Sequence, residues 1–231
     1  AARFVTIDAS ARRDVVAAGS AVATVELVGP ARARARARSS SSGSGAPDGS
    51  ASSAAAPRPR ARRPPPRDVL VIGDSLALGM EQPLKAALSD WRVRVDGRIG
   101  RPLAEGMSIL GRQSSPPAIL AFSLFTNDGP RNTAALEAAV RATAKRRGGC
   151  AVWATVVRPP LAGVSYDAAN ALLRRLSNDP QLALGLQLVD WAAQVAQSPS
   201  LIARDGVHGT PDGYRVLGQL YAAAIASCAR G

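Results

Sequence analysis

Two short segments of the chain carry the residue types that nucleophilic catalysis requires. The only histidine among the 231 residues, His208, lies in the segment DGVHGTPDGY, three positions after Asp205. Imidazole is the side chain that most readily exchanges a proton near neutral pH, so acid-base chemistry of that kind has one candidate here. If the Asp205 carboxylate accepts a hydrogen bond from one ring nitrogen, the other nitrogen is free to act as a base. The spacing therefore predicts an Asp–His pair that requires a nucleophile.

Ser75, in the segment VLVIGDSLALGM, is the predicted nucleophile. The apolar run from Val69 to Ile72 predicts a short buried strand that stops at Gly73, and a helical pattern resumes near Leu78. Strand ends are where α/β active sites form, and the N–H groups of a helix amino terminus favour negative charge. A serine at such a place is, taken alone, more often a helix cap. Its combination with the Asp–His pair favours the catalytic interpretation.

Apolar, β-rich runs alternate with helical patterns along the rest of the chain, as a parallel sheet covered by helices requires. The predicted strands are Val69 to Ile72, Val93 to Val95, Ile119 to Phe125, Ala151 to Val157 and Leu186 to Val189. The predicted helices are Leu78 to Leu88, Thr133 to Arg146, Tyr166 to Leu176 and Pro211 to Ala229. We therefore predict an α/β fold, a three-layer α/β/α sandwich with a central, mostly parallel five-stranded sheet, in residues 67–231.

Four sequence blocks between about Arg67 and Ala229 resemble those of the GDSL or SGNH hydrolases. The first block is GDSL, which places Ser75 at the nucleophile position of that family. The last block is DGVH, which places Asp205 and His208 at the positions of the orienting acid and the general base. The resemblance implies the flavodoxin-like fold of that family.

The two middle blocks of the resemblance imply an oxyanion hole with three donors. The family has a glycine after its second strand, which Gly100 in WRVRVDGRIGR matches best, with Gly97 as the fallback. Its third block is normally Gly-Thr-Asn-Asp, and this chain has FTND, which keeps Asn127 but replaces the glycine by Phe125. The implied donors are the backbone N–H groups of Ser75 and Gly100 and the side-chain amide of Asn127. We do not expect a bulky phenylalanine to adopt the positive φ that glycine allows.

The resemblance implies a two-step acyl transfer without a cofactor. Ser75, deprotonated by His208, attacks the carbonyl of a small-molecule or glycan ester, and Asp205 stabilises the imidazolium before water or another hydroxyl releases the acyl group. The main hypothesis is an esterase or acylhydrolase. An O-acyltransferase or deacetylase acting on cell-envelope glycans would use the same residues, and a non-catalytic wall-binding domain is the third alternative. The run VVRPPLAG at 156–163 looks similar to SGNH domains fused to membrane acyltransferases.

The first 66 residues differ in composition from the rest. Residues 30–66 form Ala-Arg, Ser/Gly and Pro/Arg tracts with almost no large apolar side chain, which predicts a disordered linker. Residues 1–29 are interpreted as a possible remnant of an export signal or anchor. Residues 1–67 hold 12 arginines and four acidic residues, which is +8 of the net +12 of the chain. This basic tail is either a solvated linker or a contact for an anionic membrane or wall polymer; no motif accompanies it that would predict a specific nucleic-acid partner.

The two cysteines are predicted to lie together, at the end of the sheet opposite the predicted site. Cys150 opens a predicted strand and Cys228 closes the last helix. A disulfide and two buried thiols are both compatible with that placement. A disulfide fits an oxidising compartment, so an extracytoplasmic or envelope location is one expectation and the cytoplasm the other. No cluster of cysteine and histidine predicts a metal site.

Overall fold

Five short segments pair as the strands of a central sheet within residues 67–230, the part of the chain that the computed structural model describes. The strands are β1 Asp68–Gly73, β2 Arg92–Gly97, β3 Ile119–Ser123, β4 Cys150–Ala154 and β5 Leu186–Val189. The helices are α1 Ser75–Ala87, α2 Leu103–Gly111, α3 Thr133–Ala144, α4 Asp167–Ser177, α5 Trp191–Gln197 and α6 Pro211–Cys228. One turn of 3-10 helix spans Pro199–Leu201. The interpretations of residues 1–29 and 30–66 lie outside the described part.

All neighbouring strands run parallel, in the order β2-β1-β3-β4-β5. Val69 at the start of β1 pairs with Val93 on one side and Ile119 on the other. The inner strands bury almost every side chain because helices cover both faces of a parallel sheet. The edge strand β2 is only partly buried. The predicted α/β/α architecture with five strands is confirmed, and its sheet is parallel throughout.

Alternate residues of the inner strands β1, β3 and β4 enter two separate cores. Leu70 and Ile72 of β1 belong to the core that includes residues of α2, α3 and α4. Val69 and Val71 belong to the core that includes residues of α1, α5 and α6. Successive residues of a strand point to opposite faces of the sheet. Because both faces of β1 are buried, its residues are apolar throughout and do not alternate with polar ones.

The predicted element boundaries need correction in several places. Strand β3 ends before Phe125 and β4 ends before Val157, and helix α1 starts at Ser75 instead of near Leu78. Helices α2 and α5 were not predicted. The α2 segment LAEGMSILG contains two glycines, which weaken the helical pattern. Gly106 leaves room for the Leu124 side chain, since a Cβ at this position would lie only 2.4 Å from it. Helix α5 has seven residues, too few for a clear period.

Cys150 and Cys228 form a disulfide that joins the start of β4 to the end of α6. The sequence left a disulfide and two thiols equally open, and the structure has the disulfide. Because parallel strands begin at this end of the sheet, the bridge lies opposite the ends that carry the predicted site. Within residues 67–230, no helix is both long enough and apolar enough to cross a membrane.

Candidate active site

The turn between β1 and α1 places the predicted nucleophile at the carboxyl end of β1, an inner strand of the sheet. Asp74 is the residue that caps α1, since its Oδ1 accepts a hydrogen bond from the N–H of Leu76 at 2.9 Å. Ser75 is therefore the first residue of the helix and not its cap. Its N–H has no acceptor within the helix and lies at the positive end of the helix dipole.

The predicted catalytic side chains lie within hydrogen-bond distance of one another. Ser75 Oγ lies 2.9 Å from His208 Nε2, and His208 Nδ1 lies 2.6 Å from Asp205 Oδ2. The roles predicted for these three residues remain predictions, but their order in space is the one that a Ser-His-Asp triad requires. His208 and Asp205 are accessible, with 43% and 50% of their side chains exposed.

The loop before α6 holds His208 in this position. Asp205 Oδ1 accepts hydrogen bonds from the N–H groups of Val207 at 2.9 Å and His208 at 3.0 Å, so the carboxylate is fixed by its own loop. The hydrogen bond with the His208 ring, together with those two N–H donors, holds the pKa of Asp205 well below its usual range. A carboxylate that stays ionised can orient the imidazole and stabilise its cation.

Packing between α1 and α6 brings the serine and histidine loops together. The ring of Tyr214, in the first turn of α6, lies against Gly79 of α1, where a Cβ would come within 2.2 Å of the ring. Tyr214 also contacts Gly209, next to His208, through its backbone and ring. A side chain at position 79 would require the Tyr214 ring to move, so this glycine allows the ring to pack between α1 and the loop of His208.

Gly100 occupies a tight turn after β2. Arg101 N–H donates to Arg98 O at 3.1 Å, and Gly100 has a φ of +73° at the third position of that turn. Only glycine adopts this conformation without strain. A Cβ at Gly100 would meet no atom within 4 Å, so the glycine is required by its φ and not by a close neighbour. Gly97, the fallback, is the last residue of β2 and is covered by Leu78.

The side-chain amide of Asn127 contacts the β1–α1 turn. It was predicted to donate to the oxyanion of a bound substrate. Its Nδ2 donates to Asp74 Oδ2 at 3.1 Å and to Arg101 O at 3.4 Å. The longer of these contacts is weak and can be exchanged for a stronger acceptor. The structure therefore brings Asn127 to the loops of Ser75 and Gly100, and its role as a donor remains a prediction.

The expectation for Phe125 was wrong. This residue has a φ of +79°, although a bulky side chain at positive φ is strained. Its ring is fully buried and meets the Tyr166 ring edge-to-face at a centroid distance of 6.2 Å. Burial of a phenylalanine ring stabilises by roughly 1.5–3 kcal/mol, which offsets a backbone strain of about 1–3 kcal/mol. Packing thus holds Phe125 in a conformation that a glycine would adopt without strain.

Sequence reasoning missed two buried charged residues beside the candidate triad. Asp74 is fully buried, and this burial raises its pKa to about 6 although the Leu76 N–H and the Thr126 side chain lower it. Arg101 is 4% exposed and contacts the ends of β1 and β2. Asp74 lay in the GDSL block itself, but nothing in its spacing indicated burial. Among residues 67–230, no group of three or more His, Cys, Asp or Glu side chains is placed to hold a metal ion.

Comparison with known proteins identifies the fold class. No family model matches the chain. The C-terminal catalytic domain of the peptidoglycan O-acetyltransferase OatA of Streptococcus pneumoniae, solved with a methylsulfonyl adduct, superposes with a TM-score of 0.60 at 18% identity, over 71% of this chain and 95% of that one. A GDSL-like lipase of Bacteroides thetaiotaomicron gives a TM-score of 0.55 at 17% identity, over 70% and 88%. The described domain thus has the fold of the GDSL/SGNH hydrolases, as its sequence blocks predicted.

One curated protein is also similar in sequence. It is YrhL of Bacillus subtilis (strain 168), described as a candidate peptidoglycan O-acetyltransferase, which is 27% identical over 164 residues. The match covers 70% of this chain but only 24% of YrhL, so this chain spans about a quarter of its relative.

Proposed function

We propose that the chain is a serine enzyme that transfers acyl groups from esters through an acyl-enzyme intermediate. One observation carries the proposal, namely the relay in which Ser75 Oγ lies 2.9 Å from His208 Nε2 and His208 Nδ1 lies 2.6 Å from Asp205 Oδ2. In the first step His208 takes the Ser75 proton, the oxygen attacks the ester carbonyl, and the alcohol leaves with that proton. In the second step His208 takes a proton from water or another hydroxyl as its oxygen attacks the acyl carbonyl. The bond between the acyl group and Ser75 Oγ then breaks, and His208 returns the proton to Ser75.

The charge that develops on the carbonyl oxygen requires donors, and three are available near Ser75. The Ser75 N–H lies at the amino terminus of α1, and the Gly100 N–H lies in the turn that Arg101 N–H closes onto Arg98 O. Asn127 can exchange its 3.4 Å contact with Arg101 O for the oxyanion. This exchange strengthens as charge develops, because a full oxyanion is a better acceptor than a peptide carbonyl. The Asn127 amide would thus contribute more to the transition state than to the bound ester.

The decisive test is labelling of the full chain with a fluorophosphonate probe, followed by peptide mapping. We expect the probe on Ser75 in the wild type and no labelling of Ser75→Ala or His208→Ala. Ser108→Ala, at an exposed serine of α2, is the matched control and should label like the wild type. Hydrolysis of a short activated acyl ester should follow the same pattern, because it needs the same nucleophile and base. Equal labelling of Ser75→Ala and wild type would refute the nucleophile.

Transfer to a cell-envelope glycan is the second candidate function. Two relatives named as peptidoglycan O-acetyltransferases support it, and the exposure of His208 and Asp205 leaves room for a bulky acceptor. Incubation with an acetyl donor and a muropeptide, analysed by mass spectrometry, separates the two functions. Acylated muropeptide supports transfer, whereas free acetate alone supports hydrolysis. Absence of both, with no probe labelling, would favour a non-catalytic wall-binding domain.

We further propose a location in the cell envelope. The Cys150–Cys228 disulfide supports an oxidising compartment, and the two peptidoglycan-directed relatives support the same place. Contact of the basic residues 1–67 with an anionic membrane or wall polymer would be compatible with that location. Fractionation of cells that express the full chain tests it, since a cytoplasmic pool with reduced cysteines would contradict the proposal.

A further inference from the structure

Arg101 is the one arginine within residues 67–230 whose side chain is almost wholly buried, at 4% exposure. Removing a guanidinium from water is costly, and a buried ion pair can often be replaced by apolar residues without loss of stability. Stability alone therefore gives no reason for an arginine at this position. Its contacts point to another role.

The guanidinium of Arg101 joins the ends of β1, β2 and the start of α2. Its Nη1 donates to Gly73 O at 3.1 Å and to Asp96 O, and its Nη2 donates to Asp96 Oδ1 at 2.7 Å. Its Nε donates to Glu105 Oε1 at 3.3 Å. The planar fork of arginine can make all these bonds at once, which a lysine cannot do.

The backbone of Arg101 contacts the remaining parts of the predicted oxyanion hole. Its N–H closes the turn that gives Gly100 its positive φ, and its carbonyl accepts from Asn127 Nδ2. Its side chain is bonded to Gly73, two residues before Ser75. One residue therefore contacts, directly or through one neighbour, the segments that carry all three predicted donors.

We infer that Arg101 is a positioning residue that sets the geometry of the oxyanion hole. The inference rests on the proposed function. Without the guanidinium, Gly73 O and the Asp96 carboxylate lose a partner. The Gly100 turn is then held to β1 by the backbone bond from Arg98 N–H to Gly73 O at 3.1 Å, without the side-chain bond from its last residue. Donors must lie within about 3 Å of the developing oxyanion, so a small displacement of this turn weakens stabilisation of the transition state more than binding of the ester.

The test compares Arg101→Gln and Arg101→Lys with Arg98→Gln in the full chain. Arg98 lies on the same turn and also pairs with Glu105, but its side chain is 52% exposed. Its bond to Gly73 O is made by the backbone N–H, which the substitution keeps. With an activated acetyl ester, we expect Arg101→Gln to lower kcat about 10- to 100-fold with KM changed less than about threefold. Arg101→Lys should recover part of kcat, and Arg98→Gln should keep it within about twofold.

A double-mutant cycle with Asn127→Ala distinguishes positioning from a general loss of structure. If Arg101 acts through the hole, the two losses in kcat should combine to less than their product. If Arg101→Gln does not fold, Asp96→Asn weakens the same 2.7 Å contact and replaces it in the cycle. Multiplicative losses, or an unchanged kcat in Arg101→Gln, would overturn the inference while the wild type stays active. An inactive wild type would instead refute the proposed function.

Discussion

The buried carboxyl of Asp74 predicts an unusual dependence of stability on pH. Burial raises its pKa from the ordinary 3.8 to about 6 in the folded chain. The unfolded chain therefore loses this proton at a lower pH than the folded chain. At a pH between the two pKa values, the folded state binds more protons than the unfolded state. Stability from this group falls as pH rises from about 4 through 6, the reverse of the usual acidic residue. A difference of about two pH units corresponds to about 3 kcal/mol.

Asp74→Asn measures this effect without removing the helix cap. The asparagine Oδ1 can still accept from the N–H of Leu76, which Asp74 does at 2.9 Å. Its new amide group faces the Asn127 amide, and rotation of Asn127 can present an oxygen instead. Any remaining cost of that change is independent of pH. It therefore changes the free energy of unfolding by the same amount at every pH and does not alter its dependence on pH.

The assay is urea unfolding of wild type and Asp74→Asn from about pH 3.5 to about pH 8. The free energy of unfolding of the variant, relative to wild type, should rise by about 3 kcal/mol over this range. Asp90→Asn is the control, because its surface ion pair with Arg67 contributes little and the difference should stay nearly constant. A pH-independent difference for Asp74→Asn, or a fall with pH, would refute the reasoning.

Three further outcomes test the packing and the site. Asn127→Ala should lower kcat by about 10² to 10³, and an active variant would remove it from the oxyanion hole. Its stability should fall by only about 1–3 kcal/mol, because the buried Asp74 carboxyl loses one donor. Phe125→Gly relieves the positive φ but empties a buried ring site, so urea unfolding should show a net loss of about 2–4 kcal/mol, and a gain would contradict the packing account. Joint replacement of Cys150 and Cys228 by alanine opens a loop with a sequence separation of 78, which should cost about 4 kcal/mol in urea unfolding. Because the bridge lies at the far end of the sheet, kcat should be unchanged, and a large drop would show coupling between the two ends.

The sheet was predictable because its strands are short apolar runs bounded by turn residues. The predicted bounds of β1 and β5 match the structure within two residues, at Val69 to Ile72 and Leu186 to Val189. Short apolar runs of this length are typical of parallel strands that are buried on both faces. Helix α2 was missed because Gly106 weakens its helical pattern. The helix needs a glycine there because Leu124 packs against that position, and a local sequence pattern does not show this distant contact. The same holds for Phe125, whose backbone is set by the ring that it buries.

The candidate site was predictable as a set of residues but not as a network. Ser75, His208 and Asp205 could be identified because one histidine and its neighbouring acid leave few choices. The burial of Asp74 and Arg101 could not, because both are polar residues in turns that a sequence alone assigns to solvent. Their placement follows from how β1, β2 and α2 converge, which is a property of the assembled fold.

The exposure of the candidate triad also bears on the competition between hydrolysis and transfer. Because 43% of the His208 side chain and 50% of that of Asp205 are exposed, water has access to any acyl group on Ser75. A hydroxyl acceptor should therefore compete with water for one common intermediate. Increasing acceptor concentration should raise the ratio of transferred to hydrolysed acyl group in proportion, while kcat/KM for the donor ester stays constant. Mass spectrometry and acetate release measure both products, and a donor kcat/KM that rises with acceptor would mean that the acceptor must bind before Ser75 reacts.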